Sequence, residues 1–188
     1  MTDSEFSDAL QALGSRLAAA DIDRVAYCDA LVRLLHGRFR ASRVSIWRLE
    51  TARTADERVL HCEAAFDPSA SSASRSAPDR GILTHAEFAP YLAHLIRNGI
   101  YVSNDALADA VLEPMRAGYL IPGRVEALMD AAIDINGAVV GVVCCEEVDR
   151  KREWSQPEIT AMRRAIATVN VHLARLRDEE ARARDRLD

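Results

Sequence analysis

The chain has 188 residues, 49 % of them hydrophobic, which is enough for one ordinary domain core and too apolar for a disordered chain. A net charge of −5 and a pI near 5.6, with no basic stretch in the centre, argue against a nucleic-acid binder. The start is acidic and polar rather than a signal peptide, and no apolar run approaches the ~20 residues of a membrane span, so a cytoplasmic protein that does not enter a membrane is expected.

In chain order, Phe6, Leu10, Leu13 and Leu17 recur at alternating spacings of four and three, which predicts a first helix with a heptad seam, capped by Ser4 and interrupted by Gly14. A second helix is expected over 21–38, capped by Asp21 or Asp23, with Cys28, Leu31 and Leu35 as its stripe and Gly37 near its end. SRVSIWRLE at 42–50 alternates and is rich in β-branched and aromatic residues. It predicts a strand with Val44 and Ile46 on one face and Ser45, Trp47 and Leu49 on the other. After a polar connection at 51–57, residues 58–66 predict its hairpin partner, with Leu60, Cys62, Ala64 and Phe66 on one face. The Ser/Ala-rich stretch 67–80 reads as a mobile loop inside the domain.

A third helix is expected over 86–97, with Phe88, Tyr91, Leu92, Leu95 and Ile96 on its apolar side and Asn98-Gly99 as its stop. A short strand at 100–103, an irregular or helical segment at 105–118 and a turn at 119–124 follow. Two apolar runs then flank Asn136-Gly137, the strongest short hairpin signal. The second run, AVVGVVCCE, is apolar on both faces and predicts a central strand, with Gly141 marking a close approach. Ser155-Gln156-Pro157-Glu158 is a capping box that opens a last helix, with Ile166, Val169, Leu173 and Leu176 as its seam. Ala183 and Leu187 continue that seam through a highly charged end, so a partner helix or a following output domain is expected.

The four cysteines, Cys28, Cys62, Cys144 and Cys145, form no C-x-x-C pair, so no structural metal is expected and they read as buried core residues. Glu146 and Glu147, at a strand end on opposite faces, read as solvent-facing charges rather than an acid–base pair. There is no Ser-His-Asp pattern, no H-E-x-x-H and no glycine-rich phosphate loop.

The element order and four stretches resemble a GAF domain, of the type attached to bacterial diguanylate cyclases and sensor histidine kinases. These stretches are SRVSIWRLE at 42–50; FAPYLAHL at 88–95 with NGIYVSNDA at 98–106; YL-x-P at 119–122 with MDAAI at 129–133; and NGAVVGVVCCEEV at 136–148 with R-x-W-S at 152–155 and a following Glu…Ile-Ala pattern that ends at Ala167. The resemblance covers about residues 20–175. It departs from the family pattern at Arg124, where Gly is usual, near Ala127, where a small polar residue is usual, and at Ala132, where Pro is usual.

The resemblance implies an α+β fold: an antiparallel sheet with the N- and C-terminal helices on one face and a loop/helix insert over a ligand cleft on the other. It implies a sensor rather than an enzyme, with an unidentified small-molecule ligand. Trp47, Tyr91, Asp105, Tyr119, Arg124, Asp130 and Cys144 are the candidate cleft residues. Arg124 reads either as an anion clamp or as a surface residue, Trp47 as a stacker or as core, and Asp105 as a ligand contact or as a cap. Covalent bilin is not expected, because phytochrome-type attachment uses a Cys-His pair and the cysteines here precede Asp29, Glu63, Cys145 and Glu146. Haem is not expected either, since His61, His85 and His94 carry no supporting signature.

Residues 1–20 are expected to form a dimerisation helix, 21–175 the sensor domain and 176–188 a signalling extension. Phe6, Leu10, Leu13 and Leu17 with Ile166, Val169, Leu173 and Leu176 are expected to line a homodimer bundle that drives an output domain. The alternatives are a ligandless dimerisation module and a thiol enzyme or sensor of the free methionine sulfoxide reductase type. Cys144 and Cys145, adjacent in a strand, point to opposite faces and suit the latter poorly.

Overall fold

The computed structural model describes residues 1–51, 58–69 and 83–186. The expected connection at 51–57 and the expected loop at 67–80 lie outside the described residues for the most part, as does Leu187. Six antiparallel strands form one sheet in the order β3-β2-β1-β6-β5-β4, where β1 is Arg43–Thr51, β2 Arg58–Phe66, β3 Leu83–Thr84, β4 Ile100–Ser103, β5 Val125–Ile135 and β6 Ala138–Val148. Helices α1 (Asp3–Ala18), α2 (Arg24–Phe39) and α5 (Gln156–Asp185) pack against one face. On the other lie α3 (His85–Asn98), a 3-10 turn (Glu113–Met115), a π turn (Arg116–Leu120) and the single turn α4 (Ile121–Gly123). The α+β architecture expected from the sequence is therefore the one observed.

The sheet is shared between two cores. Alternation on β1 sends Val44 and Ile46 into the helix-side core and Trp47 into the other. On β6, Val143 and Cys145 face the helices, while Val142 and Cys144 face the cover. The β5–β6 hairpin turns at Asn136 and Gly137, both left-handed with φ of 56° and 80°, which is the backbone the Asn-Gly pair favours. At Gly141 the backbone of β1 comes so near that a Cβ would lie 2.5 Å from the Trp47 carbonyl oxygen. Strand β2 departs from strict alternation. Ile46 pairs with Ala64 and Trp47 with Cys62, so Glu63 is an extra residue in a bulge. The bulge turns Leu60 and Cys62 toward the cover and Ala64 and Phe66 toward the helices, which corrects the expectation of one shared face.

Helix starts follow their capping chemistry. Thr2, rather than Ser4, caps α1 through a reciprocal box with Glu5. Asp23 caps α2, and Ser155 with Glu158 caps α5. Helix α2 runs through Gly37 and ends at a left-handed Arg40. Ile96 is 52 % exposed, outside the apolar side expected for α3.

The heptad seams are satisfied inside the chain. Phe6, Leu10, Leu13 and Leu17 are buried against α2 and α5, and Ile166, Val169 and Leu173 are buried in the same core with Leu176 at its margin. Each such full burial stabilises the docking of its own helix, α1 or α5, by on the order of 2 kcal/mol. These eight residues therefore do not supply the exposed intersubunit seam expected of them; a 3.5-residue period marks a helix-facing stripe without saying which helix it faces. Gly14 lets α1 come down onto His172 of α5, whose Nδ1 sits 3.0 Å from the Tyr27 hydroxyl of α2.

The start of α5 is fixed by one guanidinium. Arg152 bonds Glu147 on β6, the Phe39 carbonyl at the end of α2 (2.8 Å) and Glu158 in the first turn of α5, and stacks on Trp154 at 4.0 Å. Glu147, fully buried, also accepts from Ser42 and Arg150.

Candidate functional site

Three strands bring their cover-facing side chains together in rows. The register aligns Ser45, Cys144 and Asp130 in one row, with Arg43, Glu146 and Leu128 below it and Trp47, Val142 and Ala132 above. Helix α3 places Tyr91 over the first row and the π turn places Tyr119 over the second. The Tyr91 hydroxyl donates to Asp130 Oδ2 at 2.5 Å, and the Tyr119 hydroxyl donates to Glu146 Oε1 at 2.5 Å. Two hydroxyl-to-carboxyl bonds thus fasten the cover to the sheet.

Five of the seven candidate residues meet here. Trp47, Tyr91, Tyr119, Asp130 and Cys144 are all buried. Trp47 packs edge-on to Tyr119 at 5.9 Å and donates its indole N–H to Ser45 at 2.9 Å. Tyr91 packs edge-on to Tyr101 at 5.4 Å. The other two candidates lie elsewhere. Arg124, at a left-handed turn with φ 55°, is largely exposed and pairs with Asp149. Asp105 pairs with Lys151 on the surface and accepts the Ala108 backbone N–H in its own turn. Neither is a cleft contact: each is held by an ion pair at the surface.

Arg43 and Glu146 were not anticipated. Both are buried, and Arg43 Nε donates to Glu146 Oε2 at 2.5 Å. Glu146 and Glu147 are 1 % and 0 % exposed, so the expectation of solvent-facing charges is corrected. Each finds its cation from a different side, Arg43 in the cleft and Arg152 beneath the sheet. The period-two spacing of Arg43, Ser45 and Trp47 was the available signal for a polar row on the cover face.

The two carboxyls differ in how they are compensated. Burial works against the charge of Arg43, and Glu146 more than offsets it, so the guanidinium stays protonated. Asp130 has no ion-pair partner among the described residues, and its Oδ1 is buried without a hydrogen-bond partner. Burial, and secondarily the nearby Glu146, push the Asp130 carboxyl well above the ordinary carboxylate range; the Tyr91 hydroxyl, the Cys144 thiol and the Cys145 backbone N–H only partly oppose this. Burial likewise raises the Tyr91 and Tyr119 hydroxyls and the Cys144 thiol, each with a neighbouring carboxyl adding to it.

Cys28, Cys144 and Cys145 are buried and Cys62 is half-buried; burial raises Cys28 and Cys62 to about 12. No trio of ligating side chains suited to a metal occurs among the described residues, and none of the described helices is long and apolar enough to cross a membrane. His61 pairs with Glu50 at the far side of β2, and His94 packs on Tyr101 from α3.

Comparison with solved structures places the fold. A phycoerythrobilin-bound GAF domain from a cyanobacterial phytochrome matches with a TM-score of 0.74 at 12 % identity, covering 96 % of this chain and 98 % of that one. The blue-light absorbing form of the Thermosynechococcus elongatus PixJ GAF domain matches with a TM-score of 0.70 at 19 % identity, covering 90 % and 94 %. The chromophore-binding domain of a bacteriophytochrome from R. palustris matches at 0.69 and 14 %, covering 94 % and 63 %. Among curated proteins no match is found.

These matches correct the expectation against covalent bilin, since solved structures of the same fold carry phycoerythrobilin and biliverdin. The cleft chemistry fits such a group: aromatic walls from Trp47, Tyr91 and Tyr119 surround a buried acceptor, Asp130 Oδ1, suited to an N–H donor. The family model of the GAF domain matches residues 23–173, from the start of α2 to the last buried turn of α5, and the chain belongs to the GAF domain family.

Proposed function

We propose that this GAF domain is a cytoplasmic regulatory sensor rather than an enzyme. A small molecule binds between the sheet and the α3 cover, and the response leaves through α5 in a dimer, toward an output domain of the cyclase or histidine-kinase type. One observation carries the reading: Asp130 is buried with an unpartnered oxygen and, among the described residues, no ion-pair partner. A carboxyl kept in an apolar layer at that cost has a use that packing alone does not supply. A ligand enters by displacing the Tyr91 and Tyr119 hydroxyls from Asp130 and Glu146. Because those bonds hold α3 and the π turn to the sheet, their loss loosens the cover, and the two-faced β6 passes the shift to the helix side.

The bilin-bound neighbours support a conjugated tetrapyrrole as the first ligand class to test, with Trp47, Tyr91, Tyr119 and Asp130 as the residues that would hold it. Such a group would supply absorption of visible light. The dimer would form through the outward faces of α1 and α5, where Val171 is 48 % exposed, since the seams themselves are buried within the chain.

The occupied cleft supports a second reading. Tyr–carboxyl closures and edge-packed rings are also what a ligandless dimerisation module would have. Native mass spectrometry separates the two, on protein purified gently from cells that also produce biliverdin. The expected result is a dimer with a constant excess mass. A bare dimer supports the ligandless module, and a bare monomer refutes transmission through a helical bundle. The thiol-enzyme alternative predicts rapid labelling of native protein by a thiol reagent; the raised pKa of the buried Cys144 and of the half-buried Cys62 predicts none.

A further inference from the structure

We propose that the row around Asp130 is a counter-ion site for a planar nitrogen cation: an amidinium, guanidinium or protonated heterocycle on a flat apolar body, whose N–H takes the place of the Tyr91 hydroxyl at the carboxyl. This rests on the reading of the cleft as a ligand site and adds the charge and shape of what enters it.

The two buried carboxyls of the cleft floor share a single buried cation. The register sets Arg43 directly opposite Glu146, and the guanidinium is bonded to it. The Asp130 row, two residues along each strand, holds Ser45 and Cys144 and no basic side chain. Its donors are one hydroxyl, a thiol and the Cys145 backbone N–H, all neutral and all weaker partners for a carboxylate than a charged N–H. Asp130 is 3 % exposed, so bulk solvent does not reach its unpartnered Oδ1. A ligand with one positive charge and two N–H donors in a plane would satisfy both oxygens at once and balance the floor.

The walls agree with a flat cation. Tyr91 and Tyr101 meet edge to face at 5.4 Å beside the carboxyl, and Trp47 and Tyr119 do so at 5.9 Å one row away. Rings inserted among these faces gain stacking and cation–π attraction in a site from which water is excluded. An anionic ligand meets two carboxyls, Glu146 and Asp130, beside Arg43, whose Nε is bonded to Glu146 and whose Nη2, without a hydrogen bond of its own, lies 2.5 Å from the same carboxyl oxygen; a neutral ligand leaves the charge at Asp130 unbalanced.

Three probes of one shape isolate the charge: benzamidine, benzamide and benzoate, each titrated into the full chain by thermal shift and ligand-observed NMR. Benzamidine is expected to bind at least tenfold more tightly than benzamide, and benzoate not to bind. Asp130→Asn, which keeps shape and removes charge, is expected to lose at least tenfold for benzamidine and to leave benzamide unchanged, with an unaltered circular dichroism spectrum. Tyr91→Phe, which removes the competing hydroxyl and keeps the ring, is expected to tighten benzamidine binding. Equal binding of the three probes, preference for benzoate, or undiminished benzamidine binding in Asp130→Asn would overturn the counter-ion site. Binding of no probe would overturn it as well; an excess mass in the native spectrum would then leave the ligand-binding cleft standing without this assignment of its charge.

Discussion

Replacing Gly14 by alanine should destabilise the protein even though alanine is the better helix former. Gly14 lies in the middle of α1, where the substitution on its own should gain about 1 kcal/mol. A Cβ there would lie 2.1 Å from His172 Nε2 and 2.3 Å from Cε1, where ordinary contact needs ~3.5 Å. The imidazole must retreat by ~1 Å, but it is held: Nδ1 is bonded to Tyr27 at 3.0 Å and the two rings meet edge to face at 5.9 Å. Overpacking of this kind costs about 1–3 kcal/mol, and the lost hydrogen bond about 1 more. After the helix gain, a net loss of about 2 kcal/mol remains, or roughly 4–8 °C in Tm for a domain of this size. The assay is urea denaturation of Gly14→Ala, His172→Ala and the double variant. In the His172→Ala background the obstacle is gone, so Gly14→Ala should become neutral or stabilising by up to about 1 kcal/mol. A stabilising Gly14→Ala in the native background, or a cost that persists without His172, would refute the close packing of α1 on α5.

Three further outcomes are expected. The folded-state pKa of Asp130 lies above its unfolded value, so its burden is absent below about pH 4 and grows as pH rises, at up to about 1.4 kcal/mol per unit. Asp130→Asn should therefore match the native protein near pH 4 and exceed it at pH 7 in denaturant titrations; a variant that is less stable at pH 7 would contradict an uncompensated acid. His172 behaves oppositely: burial, then Arg175, lower its pKa, so the stability of the neutral ring is complete above about pH 6.5 and is lost as pH falls. His172→Gln should show a shallower fall in Tm between pH 7 and 5 than the native protein. Arg152→Leu leaves Glu147 buried with less compensation and frees the Phe39 carbonyl; a loss of about 3 kcal/mol is expected by urea denaturation, and one under about 1 kcal/mol would show that Arg150 and Ser42 suffice.

Local chemistry made most of the architecture legible. The Asn136-Gly137 hairpin, the Ser155 capping box and the alternation of 42–50 each dictate their own geometry within a few residues. What escaped depends on partners distant in sequence. The Glu63 bulge is visible only once β1 is laid beside β2. Glu146 reads as a terminal charge until Arg43, 103 positions earlier, is set opposite it. The leucine seams carry the right residues facing helices, but the facing helices belong to the same chain. Tyr91, Tyr119 and Asp130 were marked by their place beside a resembled cleft, whereas the bonds that join them follow from the register of β5 with β6 and the height of the cover. Arg124 was misplaced for a similar reason: a left-handed backbone turns it outward, and nothing local to an arginine announces that conformation.

The Arg152 junction makes α5 a lever with a fixed foot. Its first turn is tied to β6 and to the end of α2, while its 30 residues run ~45 Å and leave the core beyond Leu176. A tilt of ~5° about that foot, too small to disturb the packed turns near it, carries the far end through ~4 Å. That is close to the distance between neighbouring side chains on a helix face, so a displacement that the sheet accommodates almost without strain arrives at the tip as a change of which residues meet.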